Sequence, residues 1–308
     1  QRAGPARAAR HRDRPGAMIR RFLGLAAAAL LLSGCGPAPA ETTPPSPLLY
    51  EIASADGQVD GWLLGTIHAL PDGTEWRTPA IGRAIDEADV LVVEVADLDD
   101  RAAASALFQA RAANPGGTDI AARVPVADRA ALLALAEDGK VNLADLRATD
   151  TWAAALLLAA GVRHGDSDNG VDKAVLARFT DRPVIELEGV ARQLDLFDAL
   201  PEREQRDLLV ATVRDHQRRG DEPGHLTRAW LAGDIDRVID PAQSALLADP
   251  ELREMLLDAR NRAWVERLAP LLQEAPQVLI AVGAGHVPGP QGLAALLEAR
   301  GYTLRPVR

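Results

Sequence analysis

Gln277-Val278-Leu279-Ile280-Ala281-Val282-Gly283-Ala284-Gly285-His286 is the stretch on which the fold turns. An apolar run of this length, opened by a polar residue and closed by glycines, predicts a buried strand over Gln277–Val282. Gly283–Pro290 then reads as a glycine-rich loop that ends the strand on a histidine. Outward from there, Gln291–Arg300 predicts a helix with Leu293, Leu296 and Leu297 on one face and Gly301 placed to cap its end. Tyr302–Val307 predicts a closing strand.

At the opposite end, Leu48–Ser54 and Trp62–Leu70 predict a hairpin across a polar turn holding Gly57 and Gly61. Val90–Val95 and Pro183–Leu187 predict two more short buried strands. Between them the chain is rich in Ala and Leu. Helices are expected from Thr78-Pro79 through Ala88, then over Ala102–Ala113, Asp128–Glu137, Thr151–Ala160, Glu202–Arg219, Leu226–Ala232 and Pro250–Leu272. Strands at both ends with helices between them imply an α/β fold, with α+β as the alternative: a central mixed sheet flanked by helices and completed by the C-terminus.

The 308 residues carry a formal net charge of -10, and only Lys140 and Lys173 are lysines. No basic patch or stripe points to nucleic acid, so nucleic-acid binding is not expected. The first methionine is Met18, followed by Arg20-Arg21, the apolar run Phe22–Leu32 and then Ser33-Gly34-Cys35. A positive segment followed by an apolar run too short to span a bilayer is a secretory signal. Leu32-Ser33-Gly34-Cys35 resembles the lipobox of bacterial lipoproteins, and Cys35 is the sole cysteine, without a disulfide partner in the chain. The competing reading is a signal-peptide cysteine that is discarded.

The expected organisation is therefore an upstream segment over 1–17, a lipoprotein signal over 18–34, a lipidated Cys35 with a Pro- and Ala-rich tether over 35–47, and one folded domain over 48–308. Lipidation at Cys35 implies a membrane partner and an exported protein anchored in the cell envelope. Gly36 at the following position resembles the signal for the outer membrane, facing the periplasm.

Two segments share one pattern, Gly65-Thr66-Ile67-His68 and Gly283-Ala284-Gly285-His286, each at the end of an apolar run. Glycine permits close approach, and ligand sites in open α/β sheets favour strand ends. One Gly-x-x-His alone is weak, since a lone strand-end histidine more often serves structure. The pair carries more weight, and Glu94 at the end of the run Val90-Leu91-Val92-Val93 adds to it. A charge there is costly unless paired or ligated. Two imidazoles and a carboxylate suit a divalent transition metal, which would acidify a bound water and polarise a carbonyl. The bland alternative for Glu94 is a carboxylate bonded to a helix N-terminus or an arginine.

These segments, with Val287-Pro288-Gly289, Gly170-Val171-Asp172, Pro183–Glu188, Gln193, Arg260-Asn261 and the ending Gly292–Tyr302, resemble the TraB/GumN family over essentially all of the folded chain. That family is related to the Tiki metalloproteases, and its wider fold group takes in erythromycin-esterase-like enzymes and haem-iron-binding ChaN-like proteins. The resemblance implies His68, His286 and Glu94 as metal-site residues, with Glu94, Glu188 and Arg260 as catalytic candidates and Asn261 and Asp172 behind them. It implies Mn or Co as the metal, with Zn as the alternative, and a peptide or protein as substrate. His164, His216 and His225 are expected to serve structure or face solvent, His216 being exposed on its helix.

Two functions follow from this reading. One is a metal-dependent, peptidase-like hydrolase of the cell envelope. The other is a non-enzymatic envelope lipoprotein that binds a metal, haem or a peptide in the same crevice. No Gly-x-Ser-x-Gly motif is present for a serine mechanism.

Overall fold

Successive side chains of the continuously buried central strands point to opposite sides, which gives the sheet two apolar faces. Strands β1 (Leu49–Ala53), β2 (Val59–Thr66), β3 (Val90–Val93), β4 (Val184–Glu186), β5 (Val278–Gly283) and β6 (Thr303–Pro306) form one sheet in the order β4-β3-β5-β2-β1-β6. The first four in that order run parallel, and β1 is antiparallel to both β2 and β6. The sheet is thus mixed and flanked by helices, an α/β fold as the sequence predicts. The computed structural model describes residues 47–98, 100–219, 224–238, 240–242, 244–274 and 277–307. The segments assigned to 1–17 and 18–34, and Cys35 with nearly all of its tether, lie outside the described residues.

The helices are α1 (Pro79–Glu87), α2 (Arg101–Ala112), α3 (Arg129–Asp138), α4 (Thr151–Gly161), α5 (Val171–Leu176), α6 (Gly189–Asp198), α7 (Glu202–Arg219), α8 (His225–Ala232), α9 (Ile235–Val238), α10 (Ala245–Ala248), α11 (Pro250–Arg253), α12 (Ala259–Glu274) and α13 (Leu293–Glu298). One sheet face, with Leu64, Leu91, Val93, Leu279 and Ala281, packs under α1, α5 and Trp230 of α8. The other, with Leu63, Val92, Val278, Ile280 and Val282, packs under α12 and α13. A third cluster uses no strand and is built mainly from α2, α3, α4, α6 and α7 around Trp152. The Trp152 ring lies 5.4 Å from Phe108 and 6.0 Å from Phe197.

Three expectations change. β2 begins at Val59 and stops at Thr66, so Ile67 and His68 leave the strand instead of continuing it to Leu70. β4 is half-buried at each residue, because it is an edge strand with one neighbour. The helix expected over Pro250–Leu272 is interrupted by a π turn at Glu254–Asp258. Within the parallel part, β5 lies between β2 and β3, so the C-terminal ends of β2, β5, β3 and β4 share one sheet edge. That edge is where such sheets open a crevice.

Candidate functional site

β2 ends at Thr66 opposite Gly283, where β5 ends, so the two Gly-x-x-His segments leave adjacent parallel strands side by side. Gly65 lets them touch: a Cβ there would stand 3.2 Å from the Ala284 Cα. Trp230 closes the far side by donating its indole N–H to the Gly65 carbonyl at 2.8 Å. β3 delivers Glu94 and β4 delivers Glu188. The Glu188 and Gly189 amides donate to the Glu94 carbonyl at 3.1 and 3.0 Å, fastening these two strand ends together.

Each imidazole is held through Nδ1, but by partners of different charge. His68 Nδ1 lies 2.6 Å from Asp172 Oδ2. The Val171 amide donates to the Ile67 carbonyl at 2.9 Å, and this brings Asp172 into place. Gly170 makes the approach feasible, since a Cβ there would stand 2.7 Å from the His68 carbonyl oxygen. His286 Nδ1 lies 2.6 Å from Asn261 Oδ1, while the Asn261 amide nitrogen donates to the Gln291 carbonyl at 2.8 Å. That second bond makes Oδ1 the acceptor, so Nδ1 of His286 carries the proton. Its Nε2 lone pair then accepts from Arg260 Nη1, 3.1 Å away.

Arg260 ties the remaining groups together. Nη2 donates to Glu94 at 2.8 Å and to Glu188 at 2.7 Å, Nε donates to Glu188 at 3.0 Å, and Nη1 also donates to the Leu256 carbonyl at 2.9 Å. All five N–H groups of the guanidinium are thereby used. The guanidinium lies over Trp264 at 4.7 Å, and Trp264 donates to Glu188 at 2.9 Å. Glu188, with 4% of its side chain exposed, faces Arg260 and Trp264 and lines neither lobe of the cleft. Arg260 and Glu188 are positioning residues in this arrangement. The π turn immediately precedes this part of α12, a common placement for functional residues.

Glu94 accepts from the Gly283 amide at 2.7 Å and from Gln193 at 3.0 Å in addition to Arg260. Burial works to raise its carboxyl, but His286, Arg260 and His68, with the Gly283 amide, outweigh burial and hold it below the usual glutamate range. The hydrogen bond to Asp172 and that residue's charge raise His68 to about 9, with 67% of the side chain still open to solvent. His286 is buried, and burial, reinforced by Arg260 and opposed by Glu94, pushes it down to about 4. Burial also works against the Asp172 carboxylate, yet its bond to His68 leaves it below the usual aspartate range.

Two lobes of a cleft meet at these residues, with cavity volumes of about 460 and 410 Å³. Thr66, His68, Glu94 and Gln193 line both. By type, two imidazoles and a carboxylate suit a divalent transition metal, and rings tied at Nδ1 are usual for metal-ligating histidines. The positions do not suit one. Arg260, itself a cation, already takes the His286 lone pair and one side of Glu94. Among the described residues no group of three or more His, Cys, Asp and Glu side chains is placed to hold an ion. As arranged, the residues do not fit a metal.

All seven residues singled out in the folded sequence gather at this sheet edge: Glu94, Glu188, Arg260, Asn261 and His286 are joined by hydrogen bonds, and the His68–Asp172 pair lines the same cleft as Glu94. Trp264 was not foreseen, although its place four residues after Arg260 puts both on one helix face. His216 is half-buried rather than exposed, held 2.9 Å from Asp138 of α3. His164 is exposed and lines neither lobe. No curated protein and no solved structure matches the chain. The sequence profile of the TraB/PrgY/gumN family matches residues 48–306, nearly the whole described chain, and the protein belongs to that family.

Proposed function

We propose that the chain is a hydrolase, peptidase-like in substrate class, whose reacting bond lies at His68 and Glu94. The observation that carries this reading is the opposed setting of the two imidazoles around one carboxylate. His68 is backed by a carboxylate and so favours the imidazolium. His286 is backed by an amide oxygen and faced by a guanidinium, so it stays neutral. Titratable groups driven apart in this way mark acid and base assignments.

In this mechanism Glu94, kept ionised and aimed by Gln193, Arg260 and the Gly283 amide, takes a proton from the attacking water. The water oxygen bonds to the carbonyl carbon as the bond to the leaving amine breaks. His68 donates its Nε2 proton to that amine while Asp172 holds the ring. Mass spectrometry of a peptide library incubated with the purified protein tests the reading. His68→Gln and Glu94→Gln are each expected to lower cleavage by about 100-fold or more. Cleavage equal to wild type in both variants would refute it, and peptide binding without any product would favour the non-enzymatic lipoprotein.

The ring settings favour a metal-dependent form of the same hydrolase as a second reading. With each Nδ1 tied, Nε2 is the ring atom left to ligate, and an ion such as Mn, Co or Zn would be held by His68, His286 and Glu94 in place of the Arg260 bond to His286. When bound, it would supply Lewis-acid polarisation of the carbonyl. It would also require Arg260 to release His286. Elemental analysis decides: about one equivalent of metal in wild type, lost in both His68→Ala and His286→Ala, supports the ion, and unchanged metal in the variants rejects it.

An envelope location is part of the proposal and is supported by Leu32-Ser33-Gly34-Cys35. Among the described residues no helix is long and apolar enough to cross a membrane. Metabolic labelling with an alkyne fatty acid is expected to mark the wild type and not Cys35→Ser.

A further inference from the structure

The two lobes that meet at His68 and Glu94 differ in chemistry. The lobe against α6, α8 and the π turn is walled by Leu196, Phe197, Leu226, Trp230, Leu256 and Leu257. The other lobe has a cationic rim of Arg101, Arg163 and Lys173. Asp168 already pairs with Arg101 and Lys173, so one carboxylate faces two cations. The Arg163 side chain is exposed and has neither an ion pair nor a hydrogen bond among the described residues. Asp72 and Asp166 line a surface hollow on its other side, where their carboxylates accept from the Asn169 side chain and the Asp168 amide and form no ion pair with Arg163. A positive rim on a chain of net charge -10 runs against the average of its surface.

We propose that the cleft selects a substrate with an apolar group on the Phe197 side of the reacting bond and a carboxylate on the Arg163 side. The apolar part gains by leaving water in the walled lobe. The carboxylate gains a charge-assisted partner in a guanidinium that has none among the described residues. His68 and Glu94 lie where the lobes join, so the bond between the two groups passes the reacting side chains. This assignment deepens the hydrolase reading and takes the position of the reacting bond from it, whereas the binding preference stands without it.

N-decanoyl-aspartate has both features across one amide. N-decanoyl-asparagine amide lacks the charge, and N-acetylaspartate lacks the apolar chain. Calorimetric titration of the full-length protein is expected to give N-decanoyl-aspartate an affinity about tenfold or more above either control. Arg163→Gln should bring it down to the level of the uncharged amide, with an unchanged circular dichroism spectrum because the side chain has no partner to lose among the described residues. Equal affinity for the three ligands, or a charge preference that survives Arg163→Gln, would overturn the proposal. Release of decanoate is followed in parallel. Binding with the expected preference but no release supports this selectivity and counts against hydrolysis, whereas release without the preference does the reverse.

Discussion

Arg260 shows how much one side chain can hold. Glu94 and Glu188 come from two different strand ends, and both are nearly buried, at 12% and 4% side-chain exposure. Arg260→Gln leaves two buried carboxylates without their shared cation, and breaking such a pair costs about 3–5 kcal/mol. Urea unfolding should show that loss, and Arg260→Lys should not recover it, because an ammonium cannot span the bidentate geometry. Gly283 offers the opposite case. Its φ of -50° is open to alanine, but a Cβ would stand 3.1 Å from Glu94 Oε1. Gly283→Ala is therefore expected to change the unfolding midpoint little and to lower cleavage markedly, which a paired melt and rate assay would measure. The sequence marks His68, Glu94 and His286 because each follows an apolar run with a glycine or a charge at its end. It gives no sign that Arg260 meets Glu94 across 166 residues, since that contact depends on how α12 lies over the sheet.

At the scale of elements, the start of α1 was legible because its determinants are local. Thr78 accepts the Ile81 amide at 3.1 Å, and Pro79 occupies the first turn. Thr78→Ala should cost about 1 kcal/mol of stability, read from the shift in the unfolding midpoint. The π turn at Glu254–Asp258 was not legible. Its sequence Glu-Met-Leu-Leu-Asp is ordinary helix material, and only tertiary packing distinguishes it from continuous α-helix. Leu256 packs in the helical cluster and also lines the apolar lobe, and its carbonyl accepts from Arg260. The strand at β4 was legible but its edge position was not, because an apolar run does not reveal whether a strand has one neighbour or two.

For the whole molecule, the two histidines act on stability in opposite directions as pH changes. His286 falls from about 6.5 in the unfolded chain to about 4 in the folded one. Between those values the unfolded state binds more protons, so stability rises with pH and levels off above 6.5. His68 rises from about 6.5 to about 9, so the folded state holds the extra proton in that range and stability falls as pH increases through it. The depressed carboxyl of Asp172 adds to the acid side, where its contribution is lost as pH drops through its folded value. The metal-free protein should therefore be most stable near pH 6.5, with a shallower alkaline limb because His68 remains open to solvent. Urea midpoints measured from pH 5 to pH 9 test this curve. His68→Gln should flatten the alkaline limb alone, and Asp172→Asn should draw the His68 titration back toward 6.5 in a proton NMR titration. If the alkaline limb persists in both variants, the pairing of His68 with Asp172 is not its cause.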